Sequence, residues 1–185
     1  MMFCIAPYCH GHEVRDQALG VLGGAPGSSQ HALLVRQWSA DVIYFAHTSP
    51  VTDDERERLA ARGIPIVEGE VARLAADDDR LRGVELTDGR AISRAAIFVR
   101  PVMVPNNDLL SGLGADVDAN GWPVLDPTGR STVRGVWVAG NAANPRAQVI
   151  TAAGEGSTAA IAINADLVED DVRHAVEAAR VAQPA

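Results

Sequence analysis

Residues 19–47 restrict the possible folds more than any other stretch of this chain. "LGVLGGAPGSS" (19–29) is a short apolar run ending in a glycine-rich turn, the pattern of a buried strand that reverses sharply. A helix is predicted from Ser28 to about Trp38, with Ala32, Leu34, Val35 and Trp38 on its apolar face. "DVIYFAH" (41–47) is β-branched and aromatic and reads as a second strand. A strand–turn–helix–strand unit of this length makes a right-handed crossover and therefore two parallel strands.

The pattern continues downstream. Thr52-Asp53-Asp54-Glu55 is a capping-box sequence that starts a helix, Gly63 stands where a C′ glycine ends one, and "IPIVEG" is a third short strand. From Glu70 to Val99 the period changes to two. "EVARLAA", "LRGVELT" and "AISRAAIFV" read as strands, turned at Asp77–Asp79 and at Asp88-Gly89. After Arg100-Pro101 the composition becomes loop-like. "WPVLD" (122–126) and "GVWVAGN" (135–141) are two more strand candidates, followed by a small-residue helix from about Gln148 to Val168 and an amphipathic stretch over 172–182. Parallel strands, a three-stranded β-meander and a return strand form an α/β, Rossmann-like nucleotide-binding order.

Composition excludes several classes of partner. Of 185 residues, 47% are apolar and 22% charged, which fits a soluble globular protein. A net charge of −8 argues against a nucleic-acid or anionic-membrane surface. Thr151, Glu155, Ser157 and Thr158 interrupt the apolar run at 149–163, so a membrane span is not expected. The first residues lack the pattern of a signal peptide, and two cysteines do not make a disulfide scaffold; the expected location is cytoplasmic.

Three motifs carry chemistry. Gly23-Gly24-Ala25-Pro26-Gly27-Ser28 stands where a dinucleotide fold places G-x-G-x-x-G/A, whose glycines let the backbone approach a pyrophosphate at a helix N-terminus. Gly23 and the small Ser28 fit, whereas Ala25 replaces the middle glycine, so a working loop and a purely structural turn both remain open. The ribose would be read at Ala46-His47-Thr48-Ser49, which is neither acidic nor strongly basic. His47 is either a phosphate contact or an ordinary loop residue. The second motif, residues 135–160, ends a strand at Gly140, continues through Asn141 and opens a helix near Gln148. Its Ala and Gly residues permit close packing of a ligand or of a sheet. The third, "CIAPYCHGHEV" (4–14), holds Cys4, Cys9, His10 and His12; a zinc clip is conceivable there, but the spacing matches no common zinc module, and no metal site is expected.

"GVWVAGN" followed by "AQVITAAGEGSTAAIAIN" resembles the C-terminal flavin motif of the thioredoxin-reductase-like pyridine nucleotide-disulfide oxidoreductases. "PYCHGHEVRDQALGVLGG" resembles the redox motif and nucleotide-domain start of the same family. The resemblance runs from about Ile5 to Val168. It implies an NAD(P)-binding-like domain with its redox-motif linker over 1–100, and the C-terminal half of an FAD-binding domain over 101–185, a partial second α/β domain. It also implies FAD and NADP (or NAD) as cofactors, with electrons passing from the nicotinamide through the flavin to a disulfide-containing protein or a small oxidant. Cys9 falls on the flavin-side cysteine and His10 on a position suited to proton relay. Gly23, Gly24, Ala25, Gly27 and Ser28 fall on the nucleotide loop, and Gly140, Asn141, Gln148 and Val149 on the flavin loop.

This sequence departs from the family pattern in several places. The first cysteine of the motif is Ala6, the flavin-binding aspartate is Asn141, and arginines for an NADP phosphate are absent after Phe45. The family's N-terminal FAD segment has no counterpart here. Reduced or no activity is therefore expected, together with homodimerisation or a partner completing the FAD domain. The alternative is a non-catalytic nucleotide-domain remnant that serves as a binding module.

Overall fold

The apolar runs pair as parallel strands. The structure, a computed structural model, describes residues 3–4 and 7–182. The chain divides into two compact units, Met1–Val102 and Met103–Ala185. In the first unit, β1 (Phe3–Cys4), β2 (Leu19–Leu22), β3 (Val42–Phe45), β4 (Ile66–Val67) and β8 (Ala96–Val99) form a five-stranded parallel sheet in the order β1-β8-β2-β3-β4. Helix α2 (Ser28–Val35) links β2 to β3, and α3 (Asp53–Ala61) links β3 to β4.

Side chains alternate across this sheet as a pleat requires. Leu19, Val21, Val42, Tyr44, Ala96 and Phe98 join Ala32 and Val35 of α2 and Leu59 of α3 in one core cluster. Phe45 and Ile97, one register step away, pack instead with Leu81, Val84 and Leu86. Those three belong to β6 (Arg80–Leu86), the middle strand of an antiparallel sheet between β5 (Val71–Asp77) and β7 (Ala91–Ser93). The unit is thus a helix layer, a parallel sheet and a meander. The β5–β6 turn uses Asp78 and Asp79, both with positive φ (46° and 56°), the geometry whose twist suits a hairpin.

The run "AISRAAIFV" is not a single strand. The Arg94 N–H donates to Arg82 of the meander, but the next N–H, of Ala95, donates to Ala18 beside the parallel sheet. The buried Arg94 guanidinium fixes this change of sheet through Asp41, 2.7 Å away. Helix α2 is shorter than predicted and ends in a turn before Trp38. The predicted N-terminus of α3 forms a complete capping box: the Thr52 side chain accepts from the Glu55 N–H, and the Glu55 carboxylate accepts from the Thr52 N–H.

The second unit holds α4 (Asp108–Gly112) and α5 (Val149–Ala182). Its segments 122–126 and 135–139 are not strands. They form only the isolated bridges Val117–Pro123, Leu125–Ser131 and Arg130–Trp137. Pro123 has no N–H for a ladder. Asp118 and Asp126 each curl the chain as well: the Asp118 Oδ1 accepts from the Asn120 and Trp122 N–H groups, and the Asp126 Oδ1 from those of Thr128 and Arg130. The two C-terminal helices predicted from sequence are one helix of 34 residues. Glu169-Asp170-Asp171 contains no helix breaker, and Asp170 pairs with Arg134 at 2.7 Å and Arg173 at 2.6 Å. Among the described residues of α5 only Ala159 is buried, while Ile161, Leu167, Val168 and Val172 are exposed. No helix among the described residues is long and apolar enough to cross a membrane.

Candidate functional site

The glycine-rich turn lies at the carboxyl end of β2. This strand sits between β8 on one side and β3 on the other, so the turn is at the point where strand order reverses, the usual ligand crevice of an open α/β sheet. The requirement for glycine at residue 23 is steric: a Cβ there would meet the Ala46 carbonyl oxygen at 2.4 Å and the Phe45 oxygen at 2.8 Å. At Gly24 and Gly27 it is conformational, with φ of 110° and 77°. Ala25 does not have positive φ, so its methyl group is compatible with the turn. Ser28 closes it by donating from its hydroxyl to the Ala25 carbonyl at 2.7 Å.

Four side chains, His47, Thr48, Arg100 and His31, lie around this turn. His47 Cδ2 and Thr48 Oγ1 lie 3.3 Å from where a Cβ of Gly24 would be. His47 is a tethered residue rather than a solvated one: its Nδ1 accepts the Val71 N–H at 3.0 Å, which assigns the neutral ring's proton to Nε2. Arg100, at the end of β8, reaches over the loop and donates to the Gly27 carbonyl at 3.3 Å. His31, in the first turns of α2, is buried against the Phe98 ring and its Nε2 has no partner. Burial, and then the positive charge of Arg100, hold its pKa below the ordinary value.

The edge of the crevice is locked by a second contact. The Ser29 hydroxyl of α2 donates to the Glu55 carboxylate of α3 at 2.5 Å. This bond, followed by the bond from the Thr52 N–H, lowers the Glu55 pKa from its ordinary 4.5. A depressed folded-state pKa contributes stability above the unfolded value and loses it as pH falls through the folded one. Ser29→Ala is therefore expected to lower the melting temperature most at neutral pH, with the gap to wild type closing in acid. A gap independent of pH in a thermal-melt series excludes this linkage.

Within the cysteine motif, α1 (Pro7–His10) is followed by a short 3-10 helix (Gly11–Val14). Cys9 is a free, exposed thiol. His10 turns toward Glu13, with Nδ1 3.9 Å from the carboxylate, and the His12 Nε2 accepts from the Arg15 guanidinium at 2.9 Å. Gly11 allows the Trp38 indole to pack directly on the backbone, since a Cβ would meet the ring at 2.4 Å. Ala6 lies outside the described residues; the Cys4 backbone is in β1. No cluster of three or more potential metal ligands occurs among the described residues.

In the second unit, Gly140 has φ of 69°, and a Cβ there would lie 3.2 Å from that of Ala152. The loop over 140–148 then feeds α5, where Val149 and Ile150 are 89% and 81% exposed. Asn141 and Gln148 are also exposed. Gly140 and Asn144 are both tied to Glu155 of α5, at 2.7 Å and 3.0 Å.

The family described as pyridine nucleotide-disulphide oxidoreductase matches residues 19–156, from β2 through the glycine turn and the Gly140 loop into α5. The chain belongs to this family. It is thioredoxin-reductase-like in fold, and it is similar to three solved structures in particular. HlmI is 52% identical, with a TM-score of 0.92 over 97% of this chain. TrxB of Bacillus anthracis, named a thioredoxin reductase, is 29% identical with a TM-score of 0.83 over 91%. An oxidoreductase from Agrobacterium tumefaciens is 29% identical with a TM-score of 0.79 over 90%. This chain spans only 57% of HlmI, 57% of TrxB and 56% of the Agrobacterium protein. None of the curated proteins compared matches it.

Against this family background, the structure brings Gly23, Gly24, Ala25, Gly27 and Ser28 together at one strand end, and Gly140, Asn141 and Gln148 along one loop with Val149 at the start of α5. Cys9 and His10 belong to the first unit, and the Gly140 loop to the second. Sequence reading missed Arg100 and Glu155. The available signals were a cation directly after the last parallel strand and a lone acid among the small residues of "AAGEGS".

Proposed function

We propose that this chain is the part of a flavoprotein oxidoreductase that carries the nucleotide loop, the redox thiol and one wall of the flavin site. The observation that carries the reading is the Gly140–Gln148 loop. It presents an amide at Asn141 and opens on the exposed start of α5, where unpaired N–H groups and the helix dipole favour an electron-rich group. The residues fit a flavin: Gly140 keeps the backbone close to Ala152, and the alanines and glycines after it leave the helix face open. Gly140, Asn141, Gln148 and Val149 would hold FAD, whose chemistry when bound is to take a hydride and release electrons to a thiol–disulfide pair.

In the first unit, the positive-φ glycines Gly24 and Gly27, in one turn with Gly23, Ala25 and Ser28, keep the backbone at the start of α2 bare, which fits the pyrophosphate of NADP or NAD. The exposed thiol of Cys9 would act as nucleophile toward a disulfide in a protein or small molecule, with His10, the next residue, moving its proton. A second reading is favoured by the side chains around that turn. With His47 and Thr48 against Gly24 and Arg100 over Gly27, the loop is also suited to a purely structural role in a non-catalytic binding module.

Titration of the purified chain with FAD separates the two. Uptake of about one flavin per chain, retained through gel filtration and seen in the visible spectrum, is the expected result. A chain that stays colourless after reconstitution overturns the flavoprotein reading. Turnover with NADPH or NADH is expected to be weak in the chain alone.

A further inference from the structure

The loop that carries Asn141 is held from one point. Glu155 is on α5, well beyond the loop, yet its two carboxylate oxygens make separate bonds into it. Oε2 accepts the Gly140 N–H at 2.7 Å, and Oε1 accepts the Asn144 Nδ2 at 3.0 Å. Each is a charge-assisted bond to a part-buried donor, about twice as strong as a neutral one.

Asn144 passes this anchorage on. Its Oδ1 accepts the Arg146 N–H at 3.0 Å, and its backbone carbonyl accepts the Ala147 N–H at 3.0 Å and the Asn141 side-chain amide at 3.4 Å. The Gly140 carbonyl in turn accepts the N–H groups of Ala143 at 2.9 Å and Asn144 at 2.8 Å. Glu155 therefore holds both ends of a closed network that fixes the Asn141 amide and delivers the chain to Gln148. The same carboxylate lines a cleft of about 530 Å³ with Asp126, Gly129, Val138, Thr151 and Thr158. With one oxygen on each donor it acts as an anchor, while the loop presents the contact groups.

We infer that Glu155 is the positioning residue of the flavin loop, a carboxylate clamp that shapes Gly140–Gln148 for the cofactor. The inference rests on the flavoprotein reading above. Its chemistry makes a specific demand on substitutions. A glutamine at 155 keeps the size but has a single oxygen. Its amide nitrogen would then face either the Gly140 N–H or the Asn144 amide, donor against donor, and one of the two bonds is lost.

The test compares the 185-residue chain with Glu155→Gln, with Asn144→Ala, which removes the other end of the same bond, and with Thr158→Ala, a control on the same helix and cleft. Three quantities are read: FAD affinity, hydrogen exchange of the Gly140 amide in the FAD-free chain, and melting temperature. Glu155→Gln and Asn144→Ala are expected to weaken FAD binding about tenfold and to speed Gly140 exchange, with the melting temperature and the Thr158→Ala control close to wild type. FAD affinity unchanged in both clamp variants overturns the inference and leaves the flavoprotein reading intact. So does a loss of affinity that only follows a general fall in melting temperature. A wild-type chain that takes up no FAD overturns the flavoprotein reading, and the clamp's role toward flavin falls with it.

Discussion

Gly23→Ala is expected to destabilise the first unit by about 3 kcal/mol, and Gly23→Val by more, at the upper end of what overpacking costs. The obstruction is backbone. The added Cβ would lie 2.4 Å from the Ala46 oxygen and 2.8 Å from the Phe45 oxygen, so no side-chain rotamer relieves it. The Gly23 N–H is also bonded to that Phe45 carbonyl at 2.7 Å, which prevents the turn from moving aside without breaking the bond. Relief requires β2 and β3 to separate, and β2 is paired on its other edge with β8. A loss of this size is a large share of the roughly 5–15 kcal/mol that stabilises a typical domain. Urea unfolding should show a clearly lower midpoint for Gly23→Ala. A midpoint equal to wild type would mean that the strands tolerate the methyl group, and that the glycine at 23 is there for a ligand rather than for the sheet.

The same residue shows why parts of this fold were legible from sequence. Gly23, the apolar run before it and the helix after it are neighbours in the chain, so local pattern was enough to place β2, α2 and β3. The Thr52–Glu55 box and the Asp78-Asp79 turn are likewise complete within a few residues. Where contacts are distant, the pattern misled. "AISRAAIFV" reads as one strand-forming run, and the pairing of Arg94 with Asp41, 53 positions away, marks where one sheet ends and the other begins. Segments 122–126 and 135–139 have strand composition but find single bridges in place of ladders, because strand propensity does not supply a partner. The helix predicted to end near Val168 continues instead through 169–171, because charge on a solvated face is compatible with a helix and Asp170 is paired with Arg134 and Arg173.

The candidate site divides in the same way. Gly24, Gly27 and Gly140 were legible because each has a local backbone reason, a positive φ, whereas Gly23 was legible only as part of the same motif, since the Phe45 and Ala46 oxygens that require it are distant in sequence. Arg100 was not, because its contact with Gly27 spans 73 positions; nor was Glu155, whose bonds to Gly140 and Asn144 span 15 and 11. His47 was visible as a histidine at a strand end, but its bond to Val71, 24 positions on, changes it from a free ligand to a tether.

Cys9→Ser is expected to reduce thiol-dependent disulfide reduction by the FAD-loaded chain at least about 100-fold while leaving FAD affinity unchanged, since a serine hydroxyl is not ionised near neutral pH and is no substitute for a thiolate. The position of Cys9 supports this. Its thiol is exposed at the end of α1, and the segment that follows is fixed by Trp38 packed on Gly11, so the sulfur is presented to solvent on an anchored turn. An alkylating reagent should accordingly modify Cys9 in the native chain nearly as fast as in the denatured one. With alanine at position 6, Cys9 has no partner at the usual two-residue spacing, and a single thiol completes the exchange only if the acceptor supplies the second. Cys4→Ser separates the possibilities: an unchanged rate assigns the second thiol to the substrate, whereas a loss equal to that of Cys9→Ser assigns it to Cys4. Disulfide reduction that survives Cys9→Ser at the wild-type rate would remove this thiol from the chemistry, leaving any electron transfer to run directly from the flavin to a small acceptor.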